Sequence, residues 1–133
     1  MRFALDASAM VAYLTGEPGA SEVENLLSDP DNLCFAHAIN LCEVFYGTLR
    51  ATDERTAREA ISTLTSDGVI VRRDMNSKFW RGVGRLKSRG RISLADCFCI
   101  ALAHEIDGEV VTSDHHEFDP IVPIGIIQIR FIR

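Results

Sequence analysis

The sequence predicts an α/β fold in which a mainly parallel sheet is covered by helices on both faces. Three observations predict it. Short apolar runs alternate with longer amphipathic ones, the short runs are continuously apolar, and no linker, repeat or low-complexity segment divides the 133 residues. Strands separated by helices call for right-handed crossovers and a parallel sheet. Continuous apolar strands suit burial on both faces, where alternating ones would not. A chain of this length holds one core, so residues 1–133 are read as a single domain.

The elements follow in order. Phe3-Ala4-Leu5 reads as a buried strand, and Asp6-Ala7-Ser8 as its exit into a helix that Gly16 and Pro18 stop. A second helix begins over residues 20–27, and Leu33-Cys34-Phe35-Ala36 is a second strand. A helix over 38–49 follows, with no Ser or Thr to cap it near His37, and then a polar-faced helix over 54–64. Val69-Ile70-Val71 is a third strand, and residues 76–87 form a basic helix. Residues 93–105 make a strongly apolar helix, Asp107-Gly108 turns the chain into the strand Val110-Val111-Thr112, and residues 126–132 close it as a last strand. His115 and His116 are expected in a solvated loop.

Composition narrows the class. A hydrophobic share of 47% and a charged share of 25% are those of a folded globular domain, not a disordered one. No apolar run approaches the roughly 20 residues that cross a bilayer, and Asp6 interrupts the start too early for a signal peptide. A cytoplasmic location without membrane contact is expected. Cys34, Cys42, Cys97 and Cys99 lie in apolar stretches without a C-x-x-C pair, so they are expected reduced and buried. The four histidines do not add the spacing a zinc site needs.

The acids carry the chemistry. In such sheets, ligands gather at the carboxyl ends of strands. Asp6 follows the first strand directly, and Asp114 follows Val110-Val111-Thr112 after one serine. Both also suit helix capping or turn chemistry. Glu43 interrupts a helix whose neighbours three and four residues away are Ile39, Asn40, Tyr46 and Gly47, which is no charged solvent face. A buried carboxylate there needs a cation, either an arginine or a metal. Asp96 is the one polar side chain in Leu94-Ala95-Asp96-Cys97-Phe98-Cys99-Ile100-Ala101-Leu102-Ala103. A capping box with Ser93 would explain it, but that box favours Glu or Gln, which reach back further than Asp. Four converging carboxylates would repel one another and take up protons. A hard divalent cation, Mg²⁺ or Mn²⁺, removes that conflict, and one ion or a pair can drive in-line hydrolysis of a phosphodiester.

Charge location points the same way. The net charge is −5, yet between Arg72 and Arg91 eight basic residues face Asp74 alone, a local +7. Such a strip attracts a polyanion or simply solvates a helix face. Arg81, Arg85, Lys87 and Arg89 are the candidates to lie beside the acids and hold a nucleic-acid backbone.

Leu5-Asp6-Ala7-Ser8, Glu43 in the third helix, Ala95-Asp96 opening an apolar helix and Thr112-Ser113-Asp114 after a strand together resemble the PIN-domain ribonucleases. Their order, spacing and total length are most similar to the VapC toxins of toxin–antitoxin pairs. The resemblance implies a three-layer α/β/α sandwich with strand order 3-2-1-4-5, Mg²⁺-dependent endoribonuclease activity, a homodimer and a small VapB-like antitoxin. It makes Asp6 and Asp96 the principal metal ligands, with Glu43 and Asp114 completing the pocket and Ser8 and Thr112 supporting it. Phe118 stands four residues after Asp114, where many relatives place it three after, so Asp114, Glu117 and Asp119 all remain candidates for the fourth acid. Competing readings are a PIN-fold nuclease outside a toxin–antitoxin pair, acting in RNA processing or on DNA, and a module that binds RNA without cutting it. A phosphatase with Asp6 as nucleophile would want a second acid where Ser8 stands.

Overall fold

Five parallel strands form one sheet in the computed structural model, which describes residues 1–133. They are β1 (Arg2–Leu5), β2 (Leu33–His37), β3 (Ile70–Arg72), β4 (Glu109–Thr112) and β5 (Ile129–Phe131), in the spatial order β3-β2-β1-β4-β5. The central strand β1 pairs with β2 through Phe3 and Cys34 and with β4 through Ala4 and Val110. This is the predicted order and class. Helices α1 (Ala7–Thr15), α2 (Ala20–Ser28), α3 (Ala38–Ala51), α4 (Glu54–Ser66), α5 (Ser77–Ser88) and α6 (Leu94–Glu105) connect the strands, and a one-turn helix α7 (His115–Phe118) follows β4.

Successive side chains of a strand point to opposite faces, and here both faces are buried. Ala4 and Val110 join Phe35, Phe79, Val83, Ile100, Leu102 and Phe118 on one side. Phe3, Leu5 and Val111 join Met10, Val23, Leu41, Val44 and Leu64 on the other. That double burial is why the strands read as unbroken apolar runs. At the foot of the sheet Gly108 passes so close to β1 that an added Cβ would sit 2.4 Å from the Arg2 carbonyl oxygen. Only glycine fits there.

The capping residues place the ends that matter. Asp6, His37, Asn76, Ser93 and Asp114 each accept a backbone N–H in the first turn of the helix they precede. At the start of α3 a histidine serves where no Ser or Thr was available: His37 Nδ1 accepts the Ile39 N–H at 3.1 Å, while Nε2 lies 2.8 Å from the Asp74 carbonyl oxygen. The ring is buried and stacked on Phe79, 5.5 Å between centroids.

Three expectations need correction. The last strand is confined to Ile129–Phe131 rather than spanning 126–132, because a 3-10 turn (Val122–Ile124) ends in Gly125 at a left-handed φ of 71° and residues 126–128 only lead into the sheet. His115 and His116 lie on α7 rather than in a loop. Cys42 is exposed, since its position on α3 faces away from the sheet, whereas Cys34, Cys97 and Cys99 are free and buried as expected.

Candidate active site

The carboxyl ends of β1 and β4, the second turn of α3 and the first turns of α6 and α7 meet at one rim, and each brings acid. Asp6 leaves β1 with 2% of its surface exposed. Its Oδ1 accepts the Ser8 hydroxyl at 2.7 Å and the Ala9 N–H at 2.9 Å, while Oδ2 accepts the Thr112 hydroxyl at 2.5 Å. The helix-cap reading of Asp6 is therefore right, and it describes only one of the two carboxylate oxygens. Ser8 and Thr112 tie the network to the end of β4: Ser8 Oγ accepts the Ser113 N–H and Thr112 Oγ1 accepts the Asp114 N–H, both at 2.9 Å. Ser8 and Thr112, expected as supports of the site, make these contacts.

Asp96 sits in the first turn of α6, 8% exposed. Ser93 Oγ accepts the Asp96 N–H at 3.1 Å, which is half of a capping box. The other half does not come from Asp96. The Ser93 N–H is taken by Glu117 Oε2 at 3.0 Å, from α7, so the Asp96 carboxylate is spared the back-capping bond. Asn40 performs a similar service for Glu43. It is fully buried, its Nδ2 donates to the Ala95 carbonyl at 3.1 Å and more weakly to Glu43 Oε1 at 3.4 Å, and it so couples α3 to the start of α6. Its own Oδ1 has no partner. Asn40 was not among the expected site residues, although a polar residue three before Glu43 on the same helical face was the available signal.

The electrostatics are those of crowded acids. Burial is the chief cause raising the Asp96 carboxyl to about 7, with the charges of Asp6, Glu43 and Glu117 adding to it. Asp6 is raised to about 6, again mainly by burial, against which its hydrogen bonds from Thr112, Ala9 and Ser8 act. Glu43 is raised by burial and by Glu117. None of Asp6, Glu43, Asp96, Asp114 or Glu117 has an ion-pair partner. The arginine that was the alternative explanation of Glu43 is absent. Of the three candidates for a fourth acid, Asp114 bears on Asp6, and Glu117 bears on Asp96 and Glu43. Asp119 is turned away, paired with His115 at 2.8 Å and largely exposed.

No three His, Cys, Asp or Glu side chains stand close enough together to hold an ion outright. The donor set nevertheless fits a hard cation. It is all oxygen and short of positive charge, and Mg²⁺ in particular binds through one or two carboxylates while keeping several waters. Asp6 and Asp96 could hold such an ion, with Glu43, Asp114 and Glu117 within electrostatic reach.

The basic strip divides. Lys87 Nζ donates to the Ile92 carbonyl at 2.8 Å, just before α6, and Arg89 shares a cavity wall with Glu117. A second groove, which Arg89 shares with Arg85, runs to His104 and Glu105, the far end of α6 from Asp96; Arg85 lines only that groove, and Arg81 lies over the Trp80 ring. The expectation that all four flank the acids is corrected to Lys87 and Arg89: an α-helix rises 1.5 Å per residue, so Arg85 and Arg81 recede along α5 by about one and two turns.

Comparison with known proteins adds to this geometry. No curated protein matches the chain significantly. Among solved structures, VapBC2 of Rickettsia felis bound to promoter DNA superposes with a TM-score of 0.76 at 17% identity, covering 98% of both chains. VapBC-1 of nontypeable Haemophilus influenzae gives 0.72 at 23% identity, covering 99% of this chain and 98% of that one. VapC20 of Mycobacterium tuberculosis, described as a sarcin-ricin loop cleaving toxin, gives 0.73 at 16%, covering 96% and 98%. At these identities the likeness is one of fold. The match to a family model is more direct: it runs over residues 3–121, from the first residues of β1 to just past α7, and takes in every acid described above. The chain belongs to the PIN domain family.

Proposed function

We propose that the chain is a Mg²⁺-dependent endoribonuclease, with Mn²⁺ as an alternative ion, and the toxin of a VapBC-type pair whose partner is a small VapB-like antitoxin. The observation that carries this reading is the group of buried acids without counter-charge at the carboxyl rim of the sheet. A protein that only bound RNA would gain nothing from carboxylates that repel phosphate and one another. The toxin assignment, the antitoxin and a homodimer rest on the motif resemblance and on the VapBC complexes that share the fold. No helix is long and apolar enough to cross a membrane, consistent with a cytoplasmic site of action.

Asp6 and Asp96 would hold the ion, with Glu43 and Asp114 completing the pocket. Bound there, it supplies an activated water and neutralises charge at the phosphodiester. The chain's own residues do the rest. Ser8, Thr112 and the Ala9 N–H fix both oxygens of Asp6, so the carboxylate does not reorganise when substrate arrives. The first turn of α6 offers the positive end of a helix dipole to Asp96. Glu117 relieves Asp96 of the back-capping bond, and Asn40 holds Glu43 against the same turn. Lys87 and Arg89 would hold the RNA backbone where the acids repel it.

The test is RNA cleavage with Mg²⁺, with EDTA, and in Asp96→Asn. Cleavage should require the ion and vanish in the variant while the fold persists. Activity that survives exhaustive chelation overturns the metal mechanism, and a fully active Asp96→Asn removes Asp96 from the site.

A further inference from the structure

Next to the acids lies a cavity of about 530 Å³ that the catalytic reading does not use. Its walls are apolar, built chiefly by Leu86, Ile92, Ile100, Ile121 and Ile124, and Pro120 with the 3-10 turn forms one lip. Its volume lies within the roughly 300–1,000 Å³ of small-ligand sites. Three cationic or ionisable side chains line it as well, Arg89, Arg91 and His116, and none has an ion-pair or hydrogen-bond partner in the chain. Arginines around an apolar hollow favour an anionic ligand with an apolar part.

Glu117 joins this cavity to the acid centre. It lines the hollow, its Oε2 holds the start of α6, and its Oε1 takes no donor from the protein. An open carboxylate oxygen accepts from an amino group, as Glu does from an exocyclic base amine. We propose that this cavity is a nucleotide subsite: one unstacked base of the RNA strand, bearing an exocyclic amino group, enters it beside the cleavage site while Arg89 and Arg91 hold its phosphate. The proposal rests on the ribonuclease reading for its place in the reaction. It does not need that reading to bind a nucleotide. RNA is commonly read in this way, as splayed-out bases buried against side chains.

The experiment uses the full-length Asp96→Asn chain in EDTA, where neither metal nor cleavage contributes. AMP, CMP, GMP and UMP are titrated while the isoleucine methyl resonances are followed by NMR, with ribose 5-phosphate as the baseless control. Saturable shifts at Ile100, Ile121 and Ile124 are expected, with the three amino-bearing nucleotides at least about tenfold tighter than ribose 5-phosphate, the scale of one stacked base. Ile124→Trp fills the cavity from an exposed position (63%), so it should fold normally and abolish the shifts. Arg91→Glu, at the rim, should weaken all nucleotides by about tenfold without touching the floor. Ribose 5-phosphate binding as well as nucleotides, shifts elsewhere only, or methyl shifts that follow protein concentration instead (an interface between copies) each overturn the proposal. Nucleotide binding here in a wild-type chain that cuts no RNA would sink the nuclease reading and leave the subsite standing. RNA cleavage by a wild type whose cavity takes no nucleotide would do the reverse.

Discussion

Replacing Asp96 by Asn should stabilise the metal-free protein above pH 7, and the size of the gain follows from the site. The Asp96 carboxyl titrates at about 7 in the folded chain against 3.8 for an unhindered aspartate. The folded state therefore holds that proton roughly a thousandfold more tightly than the unfolded state does, worth about 4 kcal/mol. A raised carboxyl favours folding while it is protonated. Its contribution is complete below about pH 4 and is lost as pH rises through 7. Asp6, raised to about 6, acts in the same direction, and the two share part of one repulsion. Allowing for that sharing, Asp96→Asn should gain about 2 kcal/mol at pH 8, or about 8 °C in Tm for a domain of this size. The assay is thermal unfolding in EDTA from pH 5 to 8, a window above the range in which Asp53 and Asp74, whose carboxyls are lowered, govern stability. The wild type should lose stability across the window and the variant should lose less. Saturating Mg²⁺ should restore the wild type by mass action and leave the variant nearly unchanged. A wild type whose Tm rises from pH 5 to 8 in EDTA, or an Asn variant less stable at pH 8 than at pH 5 by the wild-type margin, would refute the reasoning.

Further predictions concern the supports of the site and the fold. Thr112→Val leaves Asp6 Oδ2 and the Asp114 N–H without their partner in a fully buried place, so it should cost about 2 kcal/mol in urea denaturation and reduce cleavage more than Ser8→Ala does. Glu117→Gln keeps an acceptor for the Ser93 N–H and should hold the wild-type Tm, whereas Glu117→Ala should lower stability by about 1 kcal/mol; equal losses would mean that the α6 cap is not made by this side chain. Lys87→Gln with Arg89→Gln should flatten the salt dependence of RNA binding by about two contacts, and Arg81→Gln should leave the slope unchanged. Gly108→Ala should cost about 2 kcal/mol by forcing β1 and β4 apart, a loss read directly from denaturant midpoints. Native protein should expose one thiol to a charged disulfide reagent, Cys42, and four after unfolding; two or more fast thiols would contradict the burial of the others.

The layers and the strand order were legible because burial on both faces writes itself into the sequence as unbroken apolar runs such as Phe3-Ala4-Leu5. The isolated acids were legible for the converse reason. A carboxylate flanked by Ala95 and Cys97 has no solvent face to explain it, so Asp96 stood out without any geometry. What the sequence concealed was who serves whom. Asn40 and Glu117 act on groups 55 and 24 residues away, and no local pattern encodes such a partner. An imidazole acceptor is unusual as a cap, and His37 succeeds here because the Asp74 carbonyl accepts a hydrogen bond from its other ring nitrogen. The basic strip misled by contiguity. Residues close in the sequence spread along a helix, and of this strip Arg89, at the C-cap of α5, shares a wall with Glu117.

The pairing of β1 with β4 has a consequence in time as well as in space. Asp6 is made well before its partner, because the hydroxyl that fixes its second oxygen is supplied by Thr112, 106 residues later. Glu117, which sets the start of α6, comes later still. Until that stretch leaves the ribosome, β1 has no partner on one side, and Asp6 has neither its orienting bond nor a finished rim around it. The proposed nuclease is thus incomplete throughout its own translation. As the nuclease proposed above, it would gain its complete rim only after Glu117 has emerged from the ribosome.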